Sequence, residues 1–460
     1  MIINICSYVG FCLYLHSQIM SNTMNRLSIV LYLTIFPLFQ VDAVMAAQPN
    51  SVFDKEQVEI FTTKTPDDVP YRIPAIAVGK DGSLVVAADY RFTRADIGGG
   101  RLDLHLRRSN NQGLTWEPIM TPEVMTGDGI SSVGHQETGF GDPCLVGDVS
   151  SPRMLLMSCS GTPGFFAGNR NHHQGWAMWW SEDNGQTWSK PVYQDEQYIY
   201  SRFDQSQYGP IRGWFVGSGK ICQSRLVKVG KYYRLYLAGS SCRQGSNETA
   251  NWVLYSDDFG RSWEFLGGCD VSPVPKGDEP KVEELPNGNL LISSRTWEGR
   301  FFNIFTFTDR KKAQGSWAEK VYSGKDNQGV YSEDNACNGE LMIVPVKRKA
   351  DGKKMFLLLQ SVPFGKGRAN VGIYYKELKD VADYATPEII AEGWTGKYQS
   401  SNLPSAYSTM VLQQDHTIGF VYEEDTYGVV DGGGYTIIYK NYTIEQLTHG
   451  LYTFRMMKGY

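Results

Sequence analysis

The 460-residue sequence lacks the features that mark several classes of protein. Lysine and arginine total 44 against 49 aspartates and glutamates, which leaves a formal net charge of only −5 with the two signs mixed along the chain. Nucleic-acid-binding proteins usually carry a basic stripe, so we expect no nucleic acid as a partner. The cysteines form no C-x-x-C pair of the kind found in zinc and redox centres. Beyond the amino terminus no apolar run is long enough to span a bilayer, so we expect no membrane span in the mature chain.

The amino terminus has the pattern of an export signal. Arg26 precedes an apolar run over residues 27–39, and the small residues of a cleavage site follow at 43–47. We therefore expect residues 1–47 to be a targeting segment and the mature protein to be periplasmic, displayed on the cell surface or secreted. Residues 2–15 are also apolar, which leaves Met24 as an alternative start and a membrane-anchored amino terminus as an alternative outcome.

The cysteines allow two interpretations. In an exported chain Cys144 could bridge to Cys159 and Cys222 to Cys242, because each of these pairs flanks two predicted strands. Separate buried thiols are the alternative, since a core of this size needs no covalent staples.

One short pattern of the form S-x-D-x-G-x-[ST]-W recurs at residues 109–116, where Asn111 replaces the Asp, and at 181–188 and 256–263. The Asp or Asn side chain can hydrogen-bond the turn backbone and the glycine can take positive φ. Each copy therefore predicts a tight turn between antiparallel strands, with its Trp packed against the next unit. Each copy holds at most two carboxylates and lacks the glutamate that closes a calcium loop, so we expect no bound metal.

Similar blocks of short apolar segments and turns follow one another along the chain. Six blocks can be traced, and they begin near Arg72, Asp142, Ile221, Glu279, Glu340 and Tyr407. A single block cannot bury both faces of its sheet, whereas a closed ring of blocks can. We therefore predict an all-β fold, a six-bladed β-propeller, as one domain over residues 48–460.

The first block opens with Arg72-Ile73-Pro74, and the three turn patterns follow it. This combination resembles the bacterial-type exo-sialidases (neuraminidases), six-bladed propellers whose turn patterns are called Asp boxes. The resemblance covers about residues 55–455. It implies a glycosidase that removes terminal sialic acids from glycoproteins, glycolipids and oligosaccharides, without a cofactor and as a monomer.

The resemblance implies three arginines that hold the carboxylate of sialic acid. Motif positions assign this role to Arg72, to Arg295 after the segment 289–294, and to Arg368 in the segment 361–368. Guanidinium groups suit a carboxylate because they bind it through bidentate, charge-assisted hydrogen bonds. Glu423 is expected to orient Arg72 through an ion pair.

The general acid should be a carboxyl in the loop after the first hairpin. The resemblance assigns it to Asp96, with Asp89 and Asp103 as rivals, and the following glycines at 98–100 suit a mobile lid. Arg91 and Asp142 match positions that contact the region of the 4-hydroxyl group of the sugar in the family, and we assign them only to substrate binding.

The nucleophile is expected to be Tyr407, because a carboxylate would be repelled by the carboxylate that the anomeric carbon already bears. Glu279 is the expected base for Tyr407, although Glu283 and Glu284 lie close enough for a shifted alignment. Two displacements at one carbon predict retention of configuration. A trans-sialidase, an intramolecular version that releases an anhydro sugar, and a non-catalytic carbohydrate-binding propeller are the alternatives.

Overall fold

A computed structural model describes residues 57–127, 139–161, 163–194, 196–429 and 433–460. The predicted targeting segment, residues 1–47, lies outside the described residues. Within the described residues the strands form six sheets, and the fold is a six-bladed β-propeller, as the sequence predicts.

The strands of the propeller are, in chain order, β1 (Val58–Phe61), β2 (Tyr71–Val78), β3 (Leu84–Arg91), β4 (Leu102–Ser109), β5 (Phe140–Gly147), β6 (Met154–Ser160), β7 (Gly175–Ser181), β8 (Val192–Tyr193), β9 (Ile211–Val216), β10 (Gly219–Lys220), β11 (Cys222–Val229), β12 (Tyr232–Arg243), β13 (Thr249–Ser256), β14 (Glu264–Phe265), β15 (Val274–Pro275), β16 (Pro280–Glu284), β17 (Leu290–Arg295), β18 (Arg300–Asp309), β19 (Gln314–Trp317), β20 (Val321–Ser323), β21 (Leu341–Arg348), β22 (Lys354–Gly365), β23 (Ala369–Leu378), β24 (Gly396–Gln399), β25 (Ser405–Leu412), β26 (Ile418–Glu424), β27 (Thr436–Tyr442) and β28 (Tyr452–Phe454). Short helices connect some of them: α1 (Glu196–Asp204), α2 (Pro387–Ala391), α3 (Ile444–Leu447), and the 3-10 turns Glu123–Met125, Lys325–Asn327 and Val381–Tyr384.

The blades follow the chain around the ring. Blade 1 holds β2 to β4, blade 2 holds β5 to β8 with β10, and blade 3 holds β11 to β14 with β9 and β15. Blade 4 holds β16 to β20, blade 5 holds β21 to β24 with β28, and blade 6 holds β25 to β27 with β1. Strand β1 pairs antiparallel with β27 and so joins the beginning of the described chain to the last blade. The pairing thus joins the two ends of the described chain within blade 6, with β1 as the outermost strand of that sheet.

The three repeated turns share one hydrogen-bond pattern. In the second copy the Ser181 hydroxyl donates to Asp183 (2.7 Å) and accepts from the N–H of Gly185 (2.8 Å), while Asp183 accepts from the N–H of Thr187 (2.9 Å). The Trp188 indole N–H donates to the Gly185 carbonyl (3.2 Å). Gly185 has a φ of 82°, where a side chain would be strained. The predicted turns therefore form, held by hydrogen bonds between their own residues.

The core lies between the blades and is rich in aromatic side chains. Between blades 2 and 3 the fully buried Trp176, Trp214 and Trp252 pack with Phe203 of α1. All six cysteines of the described chain are free and five of them are buried, which agrees with the thiol interpretation rather than with the two bridges. No helix within the described ranges is long and apolar enough to cross a membrane.

Candidate functional site

A cavity of about 550 Å³ opens where the amino-terminal ends of the first strands of several blades converge. It is lined by charged and hydroxylated side chains from all six blades. Eight of the nine residues singled out in the sequence are among them: Arg72, Arg91, Asp96, Asp142, Glu279, Arg295, Arg368 and Tyr407. The ninth, Glu423, lies behind the wall and is fully buried.

Bulges in the first strands turn the functional side chains toward the cavity. The pairing register shifts in β2 between Arg72 and Ala75, and in β5 between Gly141 and Cys144. At each bulge one residue takes the left-handed conformation, Ile73 with φ 51° and Asp142 with φ 56°. A proline follows in both strands. Proline has no backbone N–H, so the interruption of the strand pairing at the bulge leaves no unpaired donor there. This geometry explains why a proline follows each bulge residue.

Arg72 is held by a buried carboxylate. Its Nε donates to Glu423 Oε1 (2.8 Å) and its Nη2 to Glu423 Oε2 (3.3 Å). Glu423 also accepts from the backbone N–H groups of Ile73 (2.7 Å) and Tyr407 (3.1 Å). Burial works against the charge of Arg72, but Glu423 outweighs it and raises the pKa of the guanidinium. The predicted ion pair is therefore present, and Glu423 also ties blade 1 to blade 6.

Tyr407 and Glu279 form the closest polar contact in the cavity. The Tyr407 hydroxyl donates to Glu279 Oε1 (2.6 Å), and Arg295 Nη1 donates both to Glu279 Oε2 (2.8 Å) and to the Tyr407 hydroxyl oxygen (3.2 Å). Burial and the charge of Glu279 raise the pKa of Tyr407 well above its ordinary value, while Arg295 opposes the shift. The phenol is therefore neutral in this arrangement, with a carboxylate positioned to accept its proton.

Glu283 and Glu284, the two alternatives to Glu279, lie elsewhere. Glu283 pairs with Lys220 (2.6 Å) of blade 2. Glu284 accepts from the Ser224 hydroxyl (2.5 Å) at the boundary with blade 3. Both are buried and neither contacts Tyr407, so the alignment that selects Glu279 is the one that agrees with the geometry.

Arg368 completes the basic side of the cavity. It occupies a turn at φ 69°, and its Nη2 donates to Asn335 Oδ1 (3.2 Å). The guanidinium carbons of Arg368 and Arg72 lie 5.8 Å and 5.7 Å from the centre of the Tyr407 ring. Three guanidinium groups, those of Arg72, Arg295 and Arg368, thus surround the phenol and can bind one carboxylate.

The acidic side of the cavity is organised around Arg91. Its Nη2 lies 2.8 Å from Asp89 Oδ2 and 2.9 Å from Asp96 Oδ1. The Asp96 side chain is 76% exposed, on the loop above the cavity, whereas Asp89 and Asp142 are buried. Burial and the neighbouring Asp89 and Asp96 raise the pKa of Asp142 well above its ordinary value. Asp103, one rival for the acid, pairs with Arg101 and lies outside the described lining.

Part of the lining was not foreseen from the sequence. Phe165 and Phe166 stand edge to face at 4.9 Å, and Phe215 packs against Phe165 at 6.0 Å, so that they form an apolar wall between blades 2 and 3. Asp278 also lines the cavity and lies 3.4 Å from Arg295 Nε. The one available signal was the pair of adjacent phenylalanines in a loop beside Pro163 and Gly164, because such residues in a polar loop are unusual.

The fold and the cavity together define a six-bladed propeller with a cluster of three arginines beside a Tyr–Glu pair. No family model matches the chain. A sialidase of Paraclostridium sordellii is 24% identical over 350 residues, which are 74% of this chain and 80% of that protein.

Solved structures share the architecture. The Hadza microbial sialidase Hz136 superposes with a TM-score of 0.62 at 18% identity, over 85% of this chain and 69% of that one. A leech intramolecular trans-sialidase superposes with a TM-score of 0.63 at 17% identity, over 86% of this chain and 71% of that one. At these identities the structural likeness establishes the fold. The chain is thus similar to sialidases over most of its length.

Proposed function

We propose that the protein is an exo-α-sialidase that hydrolyses terminal sialic acids from glycoconjugates with retention of configuration. The observation that carries the proposal is the 2.6 Å hydrogen bond from the Tyr407 hydroxyl to Glu279, set beneath the arginine cluster. The similarity to sialidases supports the same conclusion.

The arginine cluster selects the substrate. A sialoside carries a carboxylate on its anomeric carbon, and bidentate bonds from arginines would fix both the charge and the orientation of that carbon. The same positive charge favours ionisation of Tyr407 once its proton moves to Glu279, because Arg295 already donates to the phenolic oxygen (3.2 Å). A neutral phenol meets no repulsion from the substrate carboxylate as it approaches, which a carboxylate nucleophile would.

Asp96 acts as the acid in this proposal. Its side chain is exposed on a loop at the cavity, where it would reach the leaving oxygen of a bound glycan. Tyr407 then traps the oxocarbenium-like centre as a covalent glycosyl-tyrosine, and Asp96 activates the water that releases the sugar. Two displacements at the same carbon give retention.

The proposal is tested by release of the fluorophore from a fluorogenic α-sialoside, with the full chain and with Tyr407→Phe. Loss of the nucleophilic oxygen should lower kcat by about 1000-fold or more. Tyr435→Phe is the matched control, because the Tyr435 ring also faces the Arg72 guanidinium (5.1 Å) but lies outside the described cavity lining. Equal activity of the wild type and Tyr407→Phe would overturn the assignment, and no release by the wild type would favour a carbohydrate-binding propeller.

Intramolecular transfer is the second candidate, favoured by the similarity to the leech intramolecular trans-sialidase. It would use the same residues but deliver a hydroxyl of the sugar itself, rather than water, to the anomeric carbon. Identification of the released sugar separates the two, because transfer gives an anhydro sugar and hydrolysis gives the free acid.

Export belongs to the proposal as well. The pattern over residues 1–47 supports cleavage after the small residues at 43–47. Expression in the native host, followed by cell fractionation and amino-terminal sequencing of the protein, tests this. Activity outside the cytoplasm and a mature end near residue 48 are expected, and an uncleaved cytoplasmic chain would contradict it.

A further inference from the structure

The two halves of the cavity are built by the same device. In blade 6 the second strand, β26, carries Glu423, which accepts the N–H of the left-handed residue Ile73 in the first strand of the next blade (2.7 Å). In blade 1 the second strand, β3, carries Asp89, which accepts the N–H of the left-handed residue Asp142 in the first strand of the next blade (2.9 Å). Both carboxylates are fully buried, and each also holds an arginine of the cavity.

Asp89 is connected to the acidic side of the cavity in two ways, through Arg91 and through the backbone of Asp142. Its Oδ2 accepts from Arg91 Nε (3.1 Å) and Nη2 (2.8 Å), and the same Nη2 lies 2.9 Å from Asp96. Its Oδ1 accepts the Asp142 N–H and so stabilises the bulge that turns Asp142 toward the cavity. Asp89 itself lies outside the described lining, so any effect on substrate passes through Arg91, Asp96 or Asp142.

We propose that Asp89 is a positioning residue that aligns Arg91, Asp96 and Asp142, as Glu423 aligns Arg72 and Tyr407. The inference rests on the proposed sialidase activity, in which Asp96 protonates the leaving oxygen. Loss of Asp89 frees the Arg91 guanidinium from one of its two carboxylates and leaves the Asp142 N–H without its acceptor. Asp96 then loses the fixed partner that holds it above the leaving group.

The test compares Asp89→Asn with Asp103→Asn on two substrates. Asp103 is a matched control on the adjacent strand β4, because it also accepts from an arginine, Arg101 (3.0 and 3.1 Å), and from a backbone N–H, that of Gly127 (2.9 Å). The substrates are sialyl-lactose, whose sugar leaving group needs a proton, and a fluorogenic aryl sialoside, whose phenolate leaves with little help.

Asp89→Asn should lower kcat/KM for sialyl-lactose by about 100-fold and for the aryl sialoside by no more than about 10-fold, since a misplaced acid matters most for a poor leaving group. Asp103→Asn should leave both values within about threefold of the wild type, since it contacts none of the reacting groups. Equal losses of kcat/KM on the two substrates would overturn the inference. So would a ratio of the two losses that is the same for Asp89→Asn as for Asp103→Asn. If Asp89→Asn fails to fold, the same comparison is made with Asp89→Glu, which keeps the charge and displaces it by one methylene.

A crystal structure of the same variant tests the inference without any activity. Asp89→Asn should show Arg91 displaced from Asp96 or a changed backbone at Asp142, because the amide keeps one acceptor oxygen for two partners. Asp89→Glu, if used in its place, should show one of the same two changes. An unchanged Arg91 and an unchanged bulge would overturn the inference even if the wild type proved inactive on sialosides. Inactive wild type with the displacement present would instead overturn the proposed function and leave the positioning role standing.

Discussion

Replacement of Glu423 by Gln removes one charge from the wall behind the cavity with almost no change in volume. The carboxylate accepts four hydrogen bonds, two on each oxygen: Oε1 accepts from Arg72 Nε and the Ile73 N–H, and Oε2 accepts from Arg72 Nη2 and the Tyr407 N–H. The amide of Gln can accept on one oxygen only and presents a donor to the other pair. Two of the four bonds are therefore lost whichever way the amide is turned.

The magnitude follows from those two bonds. Hydrogen bonds to charged groups contribute about 1.5 to 3 kcal/mol each, which gives about 3 to 6 kcal/mol. Breaking a buried ion pair by removal of one partner typically costs about 3 to 5 kcal/mol. Both ranges count the loss of the same contacts and are therefore not added. We expect Glu423→Gln to lower the free energy of unfolding by about 3 to 5 kcal/mol. Because Arg72 also loses its fixed orientation, KM for a sialoside should rise by about 10- to 100-fold.

Chemical denaturation of the wild type, Glu423→Gln and Glu182→Gln measures the effect. Glu182 forms an equally short bidentate pair with Arg153 (2.8 and 2.9 Å), but its side chain is 61% exposed. An exposed pair contributes less than about 1 kcal/mol, so this control should barely shift the denaturation midpoint. If the two variants lost similar stability, or if KM for Glu423→Gln stayed at the wild-type value, the argument from burial would be refuted.

Two further predictions concern the fold. Gly185→Ala should destabilise the protein more than Gly230→Ala, as measured by thermal denaturation. Both glycines have positive φ, but only at Gly185 would the new Cβ meet a core atom, Val85 Cγ2 at 2.5 Å. Equal losses of stability would contradict this explanation. Burial lowers the pKa of His105 from its ordinary value of 6.5 to about 4. Between these two values the unfolded chain binds a proton at His105 that the folded chain does not, so the free energy of unfolding falls as the pH drops through that window. At pH 7 His105→Gln should be less stable than the wild type, because it loses the contact with the Tyr71 hydroxyl (2.9 Å). On acidification it should lose less stability than the wild type does. A loss of stability as steep as that of the wild type would contradict this.

Much of the fold could be predicted because it is encoded locally. The turn pattern contains its own hydrogen-bond donors and acceptors, as in Ser181 and Asp183, and so forms wherever the sequence repeats. The strand that completes blade 6 could not be predicted in this way, since β1 pairs with β27 from the opposite end of the described chain. The same holds for β28, which follows blade 6 in the chain but pairs with β21 of blade 5.

Many of the residues that line the cavity could be predicted from the sequence, but the contacts that hold them in place could not. Arg72 and Tyr407 stand in recognisable segments, whereas the sequence around Asp89 marks it only as a rival for the acid. Its role depends on a bulge in another blade at Asp142, and no local pattern reports that contact. The aromatic wall of Phe165, Phe166 and Phe215 likewise arises where two loops from different blades meet.

The most direct test of the central claim, that Tyr407 attacks the anomeric carbon, is the stereochemistry of the first product. Proton NMR during the first minutes of incubation of the full chain with an α-sialoside distinguishes the two anomers of free sialic acid before they interconvert. The account predicts that the α-anomer appears first and the β-anomer only later by mutarotation. If the β-anomer appeared first, a single displacement would have occurred and the role of Tyr407 as nucleophile would be contradicted.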